Sequence, residues 1–212
     1  MKKIAAVSIW IALLSLCAMS AEPKIETIGA FTGSAPDAVK SALAENGYRV
    51  TGEDGKVLAE IWPAKAIAVG KSASSSALYG EFVSGSFYGV ITLPNGAGDF
   101  RGQKIPAGTY TMRYQLLPED GNHMGVAPNP DFFLLVPVEA DPGAETKMAY
   151  AALVRASAKA SGTAHPAAFA MESPDKRGVA AKVESGHTIA CFKVGSGALT
   201  VPIGMILAGS AE

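Results

Sequence analysis

Hydrophobic and polar positions alternate most cleanly over Thr109 to Leu117. Tyr110, Met112, Tyr114 and Leu116 share one parity, and Thr111, Arg113 and Gln115 the other. Successive side chains on an extended strand point to opposite faces, so this pattern predicts a half-buried antiparallel strand. Phe132 to Val136 is apolar without alternation, as expected of a central strand covered on both faces. Around these two, Gly and Pro divide the chain into short segments rich in β-branched and aromatic residues. Tyr48-Arg49-Val50 and Lys56 to Trp62 flank Glu53-Asp54-Gly55, a hairpin signal. Pro63 argues against that strand continuing unbroken inside a sheet. Ala77 to Leu93 reads as two strands, 77–84 and 86–93, or as one bent strand with a bulge. Strands at 179–184, 188–194 and 199–208 complete the set, joined by Ser185-Gly186-His187 and Gly195-Ser196-Gly197.

Two stretches follow the helical period instead. Ser34 as cap and Pro36 in the first turn predict a short helix through Glu45, closed in left-handed conformation at Asn46-Gly47. Asp141-Pro142-Gly143-Ala144 opens a longer helix running to about Ala160 and stopped by Ser161-Gly162. Its Ala149, Leu153, Ala156 and Ala160 stack at helical spacing against the sheet, while Lys147, Arg155 and Lys159 point to water. The fold expected from these elements is mainly β: an antiparallel β-sandwich of about seven to nine strands, immunoglobulin-like or jelly-roll-like. One long helix and a short N-terminal one decorate it.

The first twenty residues stand apart from this pattern. Lys2 and Lys3 precede an apolar run from Ile4 to Leu16, and Ala18-Met19-Ser20 places small residues where a signal peptidase inspects them. The run is shorter than the roughly 20 apolar residues of a membrane span. The organisation expected is a signal peptide over 1–20, an N-terminal helix and hairpin segment over 21–55, and a β-sandwich domain over 56–212. Cleavage near Ser20 implies a periplasmic or extracellular protein, with no membrane span left after it. Lipidation of Cys17 is the alternative, but Leu16 stands where that signal takes a small residue.

Charge and cysteine take on new meaning without the leader. The chain has 18 basic and 19 acidic residues, and losing Lys2 and Lys3 makes it more acidic. Such a balance offers no electrostatic footprint for nucleic acid. Of the two cysteines only Cys191 remains, so no intramolecular disulfide can form. Within Thr188-Ile189-Ala190-Cys191-Phe192 it reads as a small buried hydrophobe.

Candidate chemistry concentrates in the loop Pro118 to Asp131, unusually long for one without structure of its own. Its simplest role is a surface connection whose Asp and Asn satisfy backbone donors. As a binding site it offers Asp120, Asn122, His123 and Asp131, with His165 following the long helix. Calcium takes oxygen ligands, which Asp120, Asn122, Asn129 and Asp131 supply, although the acidic alternation of a helix-loop-helix site is missing. Copper suits imidazole with thioether: His123, Met124 and His165, with His187 as a further candidate. No nucleophile elbow, complete phosphate loop or Cys/His arrangement is present. Trp62, Tyr79, Phe82, Phe87, Tyr88, Tyr110 and Tyr114 form a core or, if exposed on one face, a platform for sugar rings; the core is the simpler reading.

The runs Gly102-Gln103-Lys104-Ile105-Pro106-Ala107-Gly108-Thr109-Tyr110-Thr111-Met112-Arg113-Tyr114, Asp120-Gly121-Asn122-His123-Met124-Gly125 and Asp131-Phe132-Phe133-Leu134-Leu135-Val136-Pro137 resemble a family of exported bacterial β-sandwich proteins. Ser161-Gly162-Thr163-Ala164-His165-Pro166-Ala167 looks like a second family block. The resemblance spans roughly residues 58–208 and implies export and a β-sandwich, with no known activity, substrate or cofactor. The function expected is a non-enzymatic binding or structural module acting on an unknown ligand or an envelope or extracellular partner. The alternative is a metal-binding or metal-dependent protein, including a hydrolase, that uses His123, His165 and one acidic residue.

Overall fold

A ten-stranded antiparallel sheet, rather than two clearly separated sheets, organises the molecule. The computed structural model describes residues 21–71, 74–118, 127 and 129–209. The strands are β1 (Lys24–Ile28), β2 (Gly47–Thr51), β3 (Val57–Pro63), β4 (Phe87–Leu93), β7 (Gly108–Leu116), β8 (Asp131–Pro137), β9 (Ala167–Glu172), β10 (Ala180–Glu184), β11 (His187–Ser196) and β12 (Leu199–Ala208). Two short strands, β5 (Ala97–Gly98) and β6 (Lys104–Ile105), form a separate ribbon. The large sheet runs β1-β2-β3-β4-β7-β8-β9-β12-β11-β10. Its edge strands β1 and β10 meet, so the sheet is nearly barrel-shaped. Curling brings the two edges together and leaves little of either open, which limits pairing with other chains. The helices are a single turn, α1 (Asp37–Lys40), and α2 (Tyr150–Ser161).

Strand parity separates two apolar layers. Val50, Ile61, Met112, Tyr114, Phe133, Phe169, Phe192 and Met205 belong to the main core, enclosed by the curled sheet. On β8 the intervening Phe132, Leu134 and Val136 join a second cluster with Leu153 of α2, Ala170 and Ile189. Phe132 to Val136 is thus buried on both sides, as its unbroken apolar run predicts. All seven aromatic residues considered for a sugar platform are buried, so they are core.

Several elements differ from the sequence expectation. Residues 77–84 form turns and one isolated bridge, Val69 to Phe82, not a strand. The first helix is one turn long, and Gly47 begins β2 without a left-handed backbone. Glycine is required at 47 for space: a Cβ there would lie 2.6 Å from the Trp62 ring. Strands β1 and β9 have no counterpart in the expected set. The hairpin at Gly55, left-handed with φ 76°, and the left-handed stop of α2 at Gly162 follow the expectation.

β7 is not half-exposed, because a buried ionic network covers its polar face. Arg113 is fully buried, and its five N–H groups all donate. Two reach Asp141, and the others reach the carbonyls of Gly85, Thr146 and Gly143 at 2.7–2.9 Å. Thr111 Oγ1 also donates to Asp141 Oδ2, at 2.5 Å. Residues 141–146 wrap the guanidinium with carbonyls, which is why α2 starts at Tyr150 and not at Asp141.

Candidate functional site

A cleft of about 350 Å³ lies beside α2, on the outer side of β7, β8 and β9. Its position follows from β8 parity: Phe132 and Leu134 face outward as an apolar floor, continued by the small Ala168 on β9. Tyr150 and Val154, four residues apart on one helix face, form a wall. Phe100 also lines the cleft, and Leu116, Leu117 and Pro118 line the end where β7 leaves the sheet. Tyr150 is 47% exposed, an aromatic left open at the mouth.

Polar groups gather on one lip, held by a buried carboxylate. Asp99 accepts the backbone N–H of Arg101 and Gln103 at 3.0 and 2.9 Å, and Arg101 Nη2 at 3.0 Å. The turn so ordered carries Arg101 Nη2 and Gln103 Nε2 to the carbonyl of Pro166, at 2.6 and 3.1 Å. Thr163 Oγ1 donates to Gln103 Oε1 at 2.6 Å, and Ser161 Oγ donates to the His165 carbonyl at 2.6 Å. Exposed His165 is therefore presented at the cleft by a segment fixed through its backbone. The helix that forms the wall is itself pinned: Ser157 Oγ donates to the Ala167 carbonyl at 3.3 Å and accepts its N–H at 3.0 Å.

The residues singled out in the sequence separate in space. His165 and Pro118 line the cleft. Asp131 starts β8 with parity opposite to Phe132 and turns away from it. Its carboxylate is fully buried and accepts Leu78 N at 2.9 Å, Tyr79 N at 3.0 Å and Tyr114 Oη at 2.6 Å. Burial, reinforced by the hydrogen bond to Asp131, pushes the Tyr114 hydroxyl above the usual tyrosine range. Asn129 donates to the Met171 carbonyl and to Glu172 Oε1. His187 stacks on Phe100 with ring centroids 5.3 Å apart. Asp120, Asn122, His123 and Met124 lie outside the described residues. Among the described residues, no three His, Cys, Asp or Glu side chains converge as a metal site. Cys191 is buried, and that burial pushes its thiol up, away from the reactive thiolate.

Sequence reasoning missed Phe100, Tyr150 and Val154 as site residues. Phe100 is the one signal available, a large aromatic isolated in a Gly- and Pro-rich connection where a core strand is not expected. No protein-family model, curated protein or solved structure matches this chain.

Proposed function

We propose that this protein is an exported, non-enzymatic binding module whose ligand is a small amphipathic molecule held in the cleft beside α2. The observation that carries this reading is the cleft's asymmetry. Phe100, Phe132, Leu134 and Val154 offer an apolar bed, while Arg101, Gln115 and His165 stand around it as polar contacts. Small-molecule sites commonly combine a concave apolar surface with a few placed polar groups, in volumes of about 300–1,000 Å³. An apolar ligand body displaces water from the bed, and a polar or anionic head meets the lip. Export is supported by the basic, apolar and small-residue order of Met1 to Ser20.

Anilinonaphthalene sulfonate, an aromatic body with an anionic head, is a suitable probe. Fluorescence titration is expected to give one saturable site in the folded protein. Val154→Asp, which places a charge on the apolar wall, is expected to abolish it. Unchanged dye binding in both Val154→Asp and His165→Ala would sink the assignment.

A further inference from the structure

A second pocket, of about 330 Å³, lies over β2, β3, β4 and β7 beneath residues 28–33. Its floor is a row of polar side chains in matched register: Arg49 opposite Glu60, Glu60 opposite Thr92, and Thr92 opposite Thr109. All four turn outward, because their strand neighbours Val50, Ile61, Ile91 and Tyr110 occupy the core. Arg49 Nε and Nη2 hold Glu60 Oε1 at 2.8 and 2.7 Å, and the two threonine hydroxyls lie 3.0 Å apart. Trp62 supports the overlying segment: its Nε1 donates to the Gly29 carbonyl at 2.9 Å, and Phe31 packs against its ring at 4.9 Å. The pocket is therefore preformed, which lowers the ordering cost of binding.

Its chemistry selects among ligand classes. Arg49 and Glu60 neutralise each other, so the floor offers little net attraction to an ion. An apolar ligand would strip water from four polar groups and return no hydrogen bonds. A neutral molecule carrying several hydroxyls does return them: the guanidinium donates, the carboxylate accepts, and the threonines do both. We propose that this pocket binds a neutral saccharide unit, recognised by hydrogen bonds and not by ring stacking, since Trp62 is only 6% exposed. The proposal is independent of the cleft beside α2.

Isothermal titration calorimetry with glucose, N-acetylglucosamine, cellobiose and maltose tests it, with inorganic phosphate as the charged control. At least one saccharide is expected to bind saturably at millimolar concentration. Thr92→Val and Glu60→Gln are each expected to weaken it about tenfold. Thr92→Val preserves shape on a half-buried strand position, so its melting temperature and its dye binding in the cleft should match the wild type. Failure of all four saccharides to bind, binding unchanged in both variants, or binding of phosphate alone would overturn the proposal.

Discussion

The guanidinium of Arg113 and the carboxylate of Asp141 pair through two parallel bonds, Nε to Oδ2 at 2.7 Å and Nη2 to Oδ1 at 2.6 Å, with both side chains fully excluded from solvent. Removing either partner leaves a buried charge uncompensated, which costs about 3–5 kcal/mol. Arg113→Met and Asp141→Asn should therefore each lower the urea midpoint sharply. The double variant Arg113→Met/Asp141→Leu should lose less than the sum of the single losses, because no lone charge remains. It still orphans the carbonyls of Gly85, Gly143 and Thr146, so full recovery is not expected.

The same pair sets an acid limit. Burial would raise the Asp141 carboxyl, but hydrogen bonds from Arg113 and Thr111 outweigh it and hold the group below the usual aspartate range. A lowered folded-state value means that the unfolded chain takes up the proton first as pH falls. The contribution is complete above the ordinary aspartate value of about 3.9 and fades as pH drops through the lower, folded-state value. Urea midpoints followed from neutral pH to about pH 2 should fall in the wild type and fall less in Asp141→Asn.

Gly85 and Gly55 share a left-handed backbone, with φ of 81° and 76°, but not an environment. A Cβ at 55 meets open space, so Gly55→Ala should cost only the conformational penalty of about 1–2 kcal/mol. A Cβ at 85 would lie 2.0 Å from the carbonyl oxygen of Met148. That backbone cannot simply move aside, because Met148 N donates to Gly85 O, which also accepts from Arg113. Thermal denaturation should therefore show Gly85→Ala to be clearly the more damaging of the two.

The elements legible in the sequence are those with local causes. The alternation of β7, the apolar run of β8 and the glycine stops at 55 and 162 all act through neighbouring residues. What escaped depends on distant partners. Thr111 and Arg113 look like a solvent-facing parity until Asp141, about thirty residues later, folds back over them. The turn at 77–84 is aromatic enough for a strand, but Asp131 captures the N–H groups of Leu78 and Tyr79. Ala167 to Glu172 is rich in alanine and has little strand propensity of its own; pairing with both β8 and β12 makes it a strand. The cleft escaped for the same reason, since five separated segments build it and only His165 and Pro118 were in view.

Metal content separates the binding-module reading from the metal-dependent alternative. Elemental analysis of purified protein is expected to find no stoichiometric copper, zinc or calcium, and chelation with EDTA should leave the melting temperature unchanged. Stoichiometric copper or zinc that disappears in His165→Ala would establish the alternative, with His123 as the next ligand to replace.

Asp131 and His165 should answer to different measurements. Three donors end on the Asp131 carboxylate, two of them buried and the Leu78 N–H part-buried, so Asp131→Ala leaves the Tyr114 hydroxyl and two backbone N–H groups without it. Each unsatisfied buried group costs about 1–3 kcal/mol, partly relieved where water enters the space left behind. Asp131→Ala should thus lose several kcal/mol of stability, on the order of one such cost per donor. Asp131→Asn should be intermediate, since its amide keeps one acceptor oxygen but turns a donor toward other donors. His165 is exposed, its neighbouring carbonyls are fixed by other side chains, and His165→Ala removes only the imidazole. Its melting temperature should match the wild type while probe affinity at the cleft falls. If His165→Ala destabilises the fold as much as Asp131→Ala does, His165 is structural, and the polar end of the ligand site must lie with Arg101 and Gln115.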